Sequence, residues 1–416
     1  MRGGVRLESR QTRKNLAMAT EPEIIMVTNA VAPDKLGGLE RYVRELSAQL
    51  VHVGRSVTVL TKQVSSDDPL QEVGEDGVRI IRYAVSSKSK ATFALQYPFS
   101  VFQGVRHGIR DRGPTSIIHG HFAVSSLPLA ISRRPFIQTF HAPVYKEILD
   151  ERGDSYSLPQ SIQKLAVGGV RKAEQLVFAR SAKNIVLSRF MADELRELLP
   201  SAAQRTITIA GGVDVEWFSP GESKRDYWAS EAEPLFFCAR RLTTRTGVPE
   251  LVRAMQRVVA ILPKARLGLA GDGHQRDEIE KLIDQLHLNN NVKILGRISD
   301  EELRNWYRSA DLVVTPTQEL EGFGLSTAEA MACGTPCLVT PVGANGELAS
   351  ALSARLVASG KSSVELADRM VELARDASFL HSLSEGARRI AVEKWSWAAV
   401  TAAHLHLYED FAHEFS

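Results

Sequence analysis

Two glutamates and two glycines lie close together in the second half of the chain, in a pattern that can bind an anion. Glu321 is followed by Gly322-Phe323-Gly324-Leu325, and Glu329 comes eight positions after Glu321. An apolar run before this segment predicts a strand, and a helix is predicted from Leu325 to Cys333. The first N–H groups of a helix lack intrahelical partners and lie at the positive end of its dipole. They can therefore hold a diphosphate.

The two carboxylates can contact different parts of one ligand, because both can face a single cleft from different depths. Glu321, before the helix, would reach a sugar. Glu329, inside the helix, would accept hydrogen bonds from the adjacent hydroxyls of a ribose. Either acid alone is more often a solvated surface group. Together with Gly322 and Gly324, which allow close backbone approach to an anion, they favour a binding site.

A basic loop follows the first predicted strand of the second half. It reads Arg240-Arg241-Leu242-Thr243-Thr244-Arg245-Thr246-Gly247. Ligands of doubly wound sheets bind beyond the carboxyl ends of the strands. Arg241 and Arg245 are predicted to clamp phosphate oxygens, since a guanidinium binds such oxygens bidentately. A solvated basic loop is an equally good interpretation of this segment taken alone.

Two further loops give weaker signals. Gly271-Asp272-Gly273 lacks the third glycine of a dinucleotide fingerprint, which counts against a dehydrogenase, but Gly273 could line the cleft. Gly296-Arg297 could flank a nucleobase, with Arg297 stacked on it, and a plain loop is the alternative.

The pair His119 and His121 has the alternation of metal ligands at the end of a strand. No third ligand lies nearby in the sequence, so we expect a structural pair that lines an acceptor pocket and no metal site.

Strands and helices alternate through both halves of the chain, which predicts an α/β fold with two Rossmann-like domains built on parallel sheets. The break at Phe218-Ser219-Pro220-Gly221 and the polar stretch after it suit a linker. We predict a disordered tail over 1–21, a first domain over 22–219, a linker over 220–233 and a second domain over 234–395. An over-extended start, with initiation at Met18, is the alternative for the tail.

Composition excludes several classes. The chain has 416 residues, 44% hydrophobic and 24% charged, which is typical of soluble two-domain proteins. Lys+Arg 51 against Asp+Glu 49 leaves a net charge of +2, which argues against nucleic-acid binding. Three cysteines are too few for a disulfide framework, and no apolar run would span a membrane. We expect a cytoplasmic protein.

Basic residues gather in two regions of the first half: Arg41, Arg44 and Arg55, then Lys88, Lys90, Arg106, Arg110 and Arg112. Such faces can dock on anionic lipids at the inner membrane surface, or guide an acidic acceptor. Solvated faces are the commoner interpretation.

The segment from Phe237 to Leu348 resembles the second domain of the retaining glycosyltransferases of family 4, also called glycosyl transferases group 1. Their two-domain fold is known as GT-B. The acidic pair around Gly-Phe-Gly, the loops at 271–273 and 296–297, and Gly343-Ala344-Asn345-Gly346-Glu347 carry the resemblance. The first half matches more loosely through Gly37-Gly38-Leu39-Glu40, Thr139-Phe140-His141 and Gly212-Val213-Asp214. Trp395-Ser396-Trp397 resembles the start of a closing helix, over 396–416, that crosses back to the first domain.

The resemblance implies transfer of a sugar from a nucleoside diphosphate donor, of UDP or GDP type, to a hydroxyl acceptor, with retention and without a metal or other cofactor. Glu321, His141, Arg241 and Arg245 would be catalytic. The donor would be bound by Gly37, Gly38, Gly273, Arg297, Phe323, Gly324, Leu325 and Glu329. His141 would contact the donor sugar, and Gly37 and Gly38 would approach the diphosphate when the cleft closes.

The chain departs from the family pattern at three places, one of them after Glu347, where Leu348 to Ser359 replace the family's Asp-Gly and a following Gly. Thr246 stands where the family has a lysine, so Arg245 would take the phosphate role, and Gly211 stands where the family has an asparagine. A catalytically silent subunit that binds a nucleotide sugar, and a nucleotide-sugar 2-epimerase of the same fold, are the alternatives.

Overall fold

The molecule is built around two sheets of mainly parallel strands, as a computed structural model shows. The structure describes residues 21–35, 37–85, 90–110, 112–113, 115–146, 160–222 and 233–415, with only the backbone for 90–95 and 160–166. The predicted α/β fold with two Rossmann-like halves is confirmed. Residues 1–20 of the predicted tail (1–21) and 223–232 of the predicted linker (220–233) lie outside the described residues.

The first sheet has eight strands in the order β3-β4-β2-β1-β5-β6-β7-β8, and only β3 runs antiparallel to its neighbour. The strands are β1 Ile24–Val27, β2 Val57–Lys62, β3 Gln71–Val73, β4 Arg79–Tyr83, β5 Ile117–Gly120, β6 Ile137–Phe140, β7 Lys183–Val186 and β8 Thr206–Thr208. Its described helices are α1 Gly38–His52, α2 Lys90–Arg110, α3 Leu127–Ile131, α4 Gln160–Arg180 and α5 Arg189–Leu198, with a 3-10 turn at Pro200–Arg205.

The second sheet has five parallel strands in the order β11-β10-β9-β12-β13. They are β9 Leu235–Ala239, β10 Arg266–Ala270, β11 Val292–Gly296, β12 Leu312–Thr315 and β13 Cys337–Val339. The helices are α6 Val248–Ile261, α7 Arg276–Gln285, α8 Asp300–Ser309, α9 Leu325–Ala332, α10 Asn345–Ser350, α11 Ser363–Ala374, α12 Ala377–Ser382 and α13 Ser384–Ile390, with single turns at Thr244–Thr246, Ala354–Leu356 and Ala391–Trp395.

The last helix, α14 (Trp397–Phe415), leaves the second half and packs against α1 and β5 of the first. Val213 pairs with Ser396 where the chain crosses, and Lys183 forms an ion pair with Glu414 at 2.8 Å. The predicted crossing helix is therefore confirmed. It fastens the end of the chain to the wall of the cleft that the first sheet forms.

Candidate functional site

A cavity of about 290 Å³ lies between the two sheets and draws its walls from both. The carboxyl ends of parallel strands in both sheets point toward it, as expected of doubly wound folds. Nine of the residues predicted for the site line it: Gly38, His141, Arg241, Arg245, Glu321, Phe323, Gly324, Leu325 and Glu329. The sequence segments that carry these side chains are far apart, so the fold brings them together.

The acidic turn begins α9 as predicted. Gly324 is the residue before the helix and has φ +93°, a left-handed conformation that favours glycine. A side chain at this position would also collide with Asn345. Asn345 is buried and accepts from the Thr327 hydroxyl at 3.0 Å, while its amide donates to Thr317 at 3.0 Å. This network holds the first turn of α9 toward the cavity.

Glu321 has an ion-pair partner that the sequence prediction missed. Nη2 of Arg240 lies 2.6 Å from Oε2 of Glu321, and both side chains are largely buried. The Arg240 guanidinium also approaches Ser326 and Thr317. Arg240 directly follows β9, at the sheet edge where the turn lies, so its position was a signal that the prediction gave to Arg241 and Arg245 instead.

Glu329 is buried beneath the turn with a proton donor beside it. Its Oε2 accepts from the Tyr307 hydroxyl at 3.1 Å, and the residue is 5% exposed. Burial raises the pKa of this carboxyl to about 7, against the lowering effects of Arg41 and the Tyr307 hydrogen bond. In the absence of ligand, the carboxyl is therefore only partly ionised near neutral pH.

The basic loop directs two of its arginines toward the cavity, whereas the Thr246 side chain points away from it. Arg241 and Arg245 line the cavity, and Nη1 of Arg245 donates to the Leu320 carbonyl at 3.2 Å. Thr246 is buried, and its hydroxyl lies 2.7 Å from the carbonyl oxygens of Arg241 and Thr243. Thr246 therefore closes the turn and does not reach into the cavity.

The wall from the first sheet is aromatic. His141, after β6, meets the ring of Tyr42 edge-on with centroids 4.9 Å apart. Tyr42 also contacts Trp397, the first residue of α14, at 5.5 Å between centroids, and all three residues line the cavity. The crossing helix thus contributes directly to the site.

The predicted histidine pair divides between two tasks. His121 lines the cavity, and its place in an acceptor pocket stays a prediction. His119 is fully buried and bonds Tyr408 of α14 and Thr139, each at 2.7 Å. The described residues contain no cluster of three His, Cys, Asp or Glu arranged to hold a metal ion.

Gly211 leaves room for an aromatic ring of the opposite half. A Cβ at this position would collide with the ring of Phe323 in the acidic turn, so the asparagine of the family pattern would not fit here. The next residue, Gly212, has the same relation to the Trp397 ring. Two successive glycines therefore let the two halves approach closely at the cavity.

A carboxylate joins the two halves across the cleft. Glu347 accepts from the backbone N–H groups of Arg189 (3.1 Å) and Phe190 (2.7 Å), which are the first residues of α5. Ser188 donates to the Gly322 carbonyl at 2.9 Å beside it. A carboxylate at a helix N-terminus is favoured by the helix dipole. We call these bonds the Glu347 contact.

Three residues predicted to bind the donor do not line the cavity: Gly37, Gly273 and Arg297. Gly273 packs against the Leu242 backbone, and Gly37 precedes α1 next to the Glu40 carboxylate. The Arg297 side chain is 87% exposed, with Asp272 at 3.7 Å. Their donor-binding roles stay predictions.

The first group of basic residues is largely paired. Arg44 lies 2.8 Å from Asp76 and Arg55 lies 2.8 Å from Glu21, while Arg41 approaches Asp300 of the second half at 3.7 Å. This group therefore does not form a free cationic face. Within the described part of the chain, no helix is long and apolar enough to cross a bilayer.

Family models match both halves of the chain. The model described as Glycosyltransferase Family 4 matches residues 36–217, and the model described as Glycosyl transferases group 1 matches residues 221–390. Together they span nearly everything between the tail and the crossing helix. The chain belongs to the family 4 glycosyltransferases. Its two facing sheets and crossing helix are the GT-B fold of that family.

Relatives and solved structures agree with this assignment. A D-inositol 3-phosphate glycosyltransferase of Frankia alni is 29% identical over 396 residues, covering 89% of this chain and 94% of the relative. The structure of sucrose-phosphate synthase from Thermosynechococcus elongatus superposes with a TM-score of 0.77 at 23% identity, covering 94% of this chain and 99% of the other. The structure of HepE from Anabaena in complex with UDP superposes with a TM-score of 0.73 at 18% identity, covering 93% of this chain and 100% of HepE.

Proposed function

We propose that this glycosyltransferase moves a sugar, with retention, from a UDP or GDP donor to a hydroxyl of a small molecule, glycolipid or glycan. The observation that carries the proposal is the convergence of Glu321, His141, Arg241 and Arg245 on one cavity between the two halves. The UDP complex of HepE supports a nucleotide donor. The relative named for D-inositol 3-phosphate supports a hydroxylated acceptor.

Charge separation explains why these residue types suit the reaction. Cleavage of the bond between sugar and phosphate leaves negative charge on the diphosphate and positive charge on the sugar. Arg241, Arg245 and the N-terminus of α9 would stabilise the diphosphate, and Glu321 would face the sugar. Because these groups supply the positive charge, the proposal needs no metal or other cofactor.

Retention would follow without a covalent sugar intermediate. The acceptor hydroxyl would attack the face that the diphosphate leaves and give its proton to the departing phosphate. His141 would hold the donor sugar from the first half. We do not propose the double displacement of retaining glycosidases, which needs a second carboxylate placed as nucleophile.

The first experiment is a thermal-shift panel of UDP, GDP, ADP and dTDP on wild type and Glu329→Ala. A nucleotide that binds only the folded state raises the melting temperature by mass action. We expect one nucleotide to stabilise wild type and to lose most of this effect in Glu329→Ala. Stabilisation by none of the four would contradict a nucleotide-sugar donor.

The second experiment identifies the reaction. With the donor sugar of the stabilising nucleotide, NMR of the product should show the donor's anomeric configuration, and Glu321→Ala should lose nearly all turnover while staying folded. Tight binding without transfer would indicate the silent subunit, whose supporting observation is Arg245 engaged with the Leu320 carbonyl. Release of a 2-epimeric sugar would indicate the epimerase.

We also propose a cytoplasmic enzyme with a peripheral membrane contact through α2 and α3. These neighbouring helices expose Phe99 (64%) and Ile131 (62%), and Arg106, Arg110 and Arg133 are exposed near them. Apolar side chains with cationic neighbours suit an anionic bilayer surface. Vesicles with anionic lipid should co-sediment the wild type at low salt and should not retain a Phe99→Ser, Ile131→Ser variant. Equal recovery of both would remove the idea.

A further inference from the structure

A row of three side chains runs from the first sheet to the cavity: Met26, His121 and His141. Nδ1 of His121 lies 3.2 Å from Nε2 of His141, and Nε2 of His121 lies 3.1 Å from Sδ of Met26. Met26 and His121 are buried, and both histidines line the cavity, but both ring nitrogens of His121 are already in contact with Met26 and His141. The row determines where the protons of both rings lie.

Each ring carries one proton at neutral pH. Burial lowers the pKa of His121 well below its ordinary value, and it lowers the pKa of His141 to about 3. A neutral imidazole has one N–H donor and one acceptor nitrogen. The direction of the bond between the two rings therefore follows from what lies at the far side of His121.

Met26 decides the matter, because a thioether sulfur has no proton and can only accept. If Nε2 of His121 presented its lone pair to Sδ, two lone pairs would face each other at 3.1 Å. The proton of His121 therefore lies on Nε2, directed at the sulfur. Its Nδ1 is then an acceptor, and Nε2 of His141 must donate to it.

The consequence appears at the cavity. With its proton on Nε2, His141 carries a lone pair on Nδ1. Among the described residues Nδ1 has no hydrogen-bond partner, and it is not an enclosed atom. The ring thus offers an acceptor to whatever occupies the cavity.

We propose that His121 is a positioning residue that makes Nδ1 of His141 a hydrogen-bond acceptor for a sugar hydroxyl of the donor. This rests on the proposed function, in which His141 contacts that sugar. An acceptor selects a group that can donate. A sugar nucleotide in which this hydroxyl is replaced by fluorine or methoxy has no proton to donate at that position. It would leave Nδ1 of His141 without a partner, and we expect the enzyme to use it poorly.

Tyr42, the aromatic neighbour of His141, does not donate its hydroxyl proton to Nδ1 of His141. Nδ1 of His404, on α14, donates to the Val400 carbonyl at 2.8 Å, so its Nε2 must accept from the Tyr42 hydroxyl at 3.3 Å. The Tyr42 hydroxyl therefore donates its proton to His404, and Tyr42 contacts His141 only through an edge-to-face arrangement of the two rings. The crossing helix thus keeps the Tyr42 proton away from the site.

The direct test needs no substrate. Protein labelled with 15N at histidine is studied by NMR at pH 7.5, with His121→Leu and His141→Ala used for assignment. We expect His141 and His121 each to be protonated on Nε2 and unprotonated on Nδ1. A proton on Nδ1 of either ring would overturn the proposal, whether or not the donor has been identified.

The functional test compares two substitutions of the same residue. His121→Asn keeps a carbonyl acceptor near the place of Nδ1, whereas His121→Leu removes it. His121→Leu should lower kcat about tenfold, with less change in KM, and His121→Asn should recover most of that loss, as one net hydrogen bond allows. Equal activity of the two variants, at matched melting temperatures, would contradict the proposal. Absence of turnover in wild type would instead count against the proposed function.

Discussion

Glu329 shows how one buried carboxyl links stability to pH. Its pKa is raised from 4.5 to about 7 by burial, so between these values the folded chain holds a proton that the unfolded chain has lost. Stability from this group is therefore lost as pH rises from 4.5 to 7. Glu329→Gln should raise the unfolding free energy at pH 8 by up to about 3 kcal/mol and change it little at pH 4.5. Urea unfolding without nucleotide measures this, and an equal effect at both pH values would contradict it.

The same carboxyl should release a proton when the nucleotide binds. Ribose hydroxyls that donate to Glu329 favour its ionised form, which lowers its pKa. Calorimetry at pH 6.5 in two buffers of different ionisation enthalpy should detect release of a fraction of a proton in wild type. Glu329→Gln is the matched control and should release less, because only the proton held by the terminal phosphate of the nucleotide can then be lost. Identical values for the two proteins would place the ribose elsewhere.

Arg240 forms a largely buried ion pair with Glu321. Removing one partner of a buried pair leaves an uncompensated charge, so Arg240→Met should lower the free energy of unfolding by about 3 kcal/mol. Adding Glu321→Gln should restore much of this stability and should not restore activity. Additive losses in the double variant would show that the 2.6 Å pair is energetically unimportant.

At the scale of elements, the approach of two loops depends on one missing side chain. Gly211→Ala would drive a methyl group into the Phe323 ring and displace the acidic turn. We expect kcat/KM to fall at least tenfold. Gly169→Ala is the control, since a Cβ there meets nothing within 4 Å and alanine favours the helix. Enzyme assays with melting curves measure both, and full activity of Gly211→Ala would contradict the close approach.

The sequence predicted the elements that are apolar and missed those that are not. Most residues in the strands of the second half are buried, although Lys293 of the edge strand β11 is exposed. Each strand therefore contains an apolar run, and the runs at 234–239, 265–270, 292–295, 312–315 and 336–340 predict all five. Strand β3 is three residues long, mostly exposed and at a sheet edge, so no apolar pattern marks it. Helix α2 was missed because Pro98 and two glycines interrupt its pattern.

The candidate site divides in the same way. The acidic turn was found because its residues are neighbours in sequence and its geometry is local. The ion pair of Arg240 with Glu321, and the hydrogen bond from the Tyr42 hydroxyl to His404, join residues far apart in the chain. No spacing rule reports such contacts, because they depend on how the two sheets and the crossing helix approach.

At the scale of the whole molecule, the Glu347 contact should favour closure of the cleft. Glu347→Gln keeps the shape of the side chain but loses the charge that the N-terminus of α5 favours. We expect the donor KM to rise several-fold and small-angle scattering of the nucleotide-bound enzyme to show a larger radius of gyration. Glu409→Gln, on the exposed side of α14, is the control. An unchanged radius and KM would show that closure does not depend on this carboxylate.

The place of Trp397 gives the enzyme a built-in optical probe. Its indole lies in the cavity wall against Tyr42, at the crossing between the halves, and is 8% exposed. A nucleobase or sugar that enters the cavity would change the polarity around this fluorophore and quench or shift its emission. Ligand titrations can therefore be followed in unlabelled protein, and Trp397→Phe identifies the part of the signal that comes from the site.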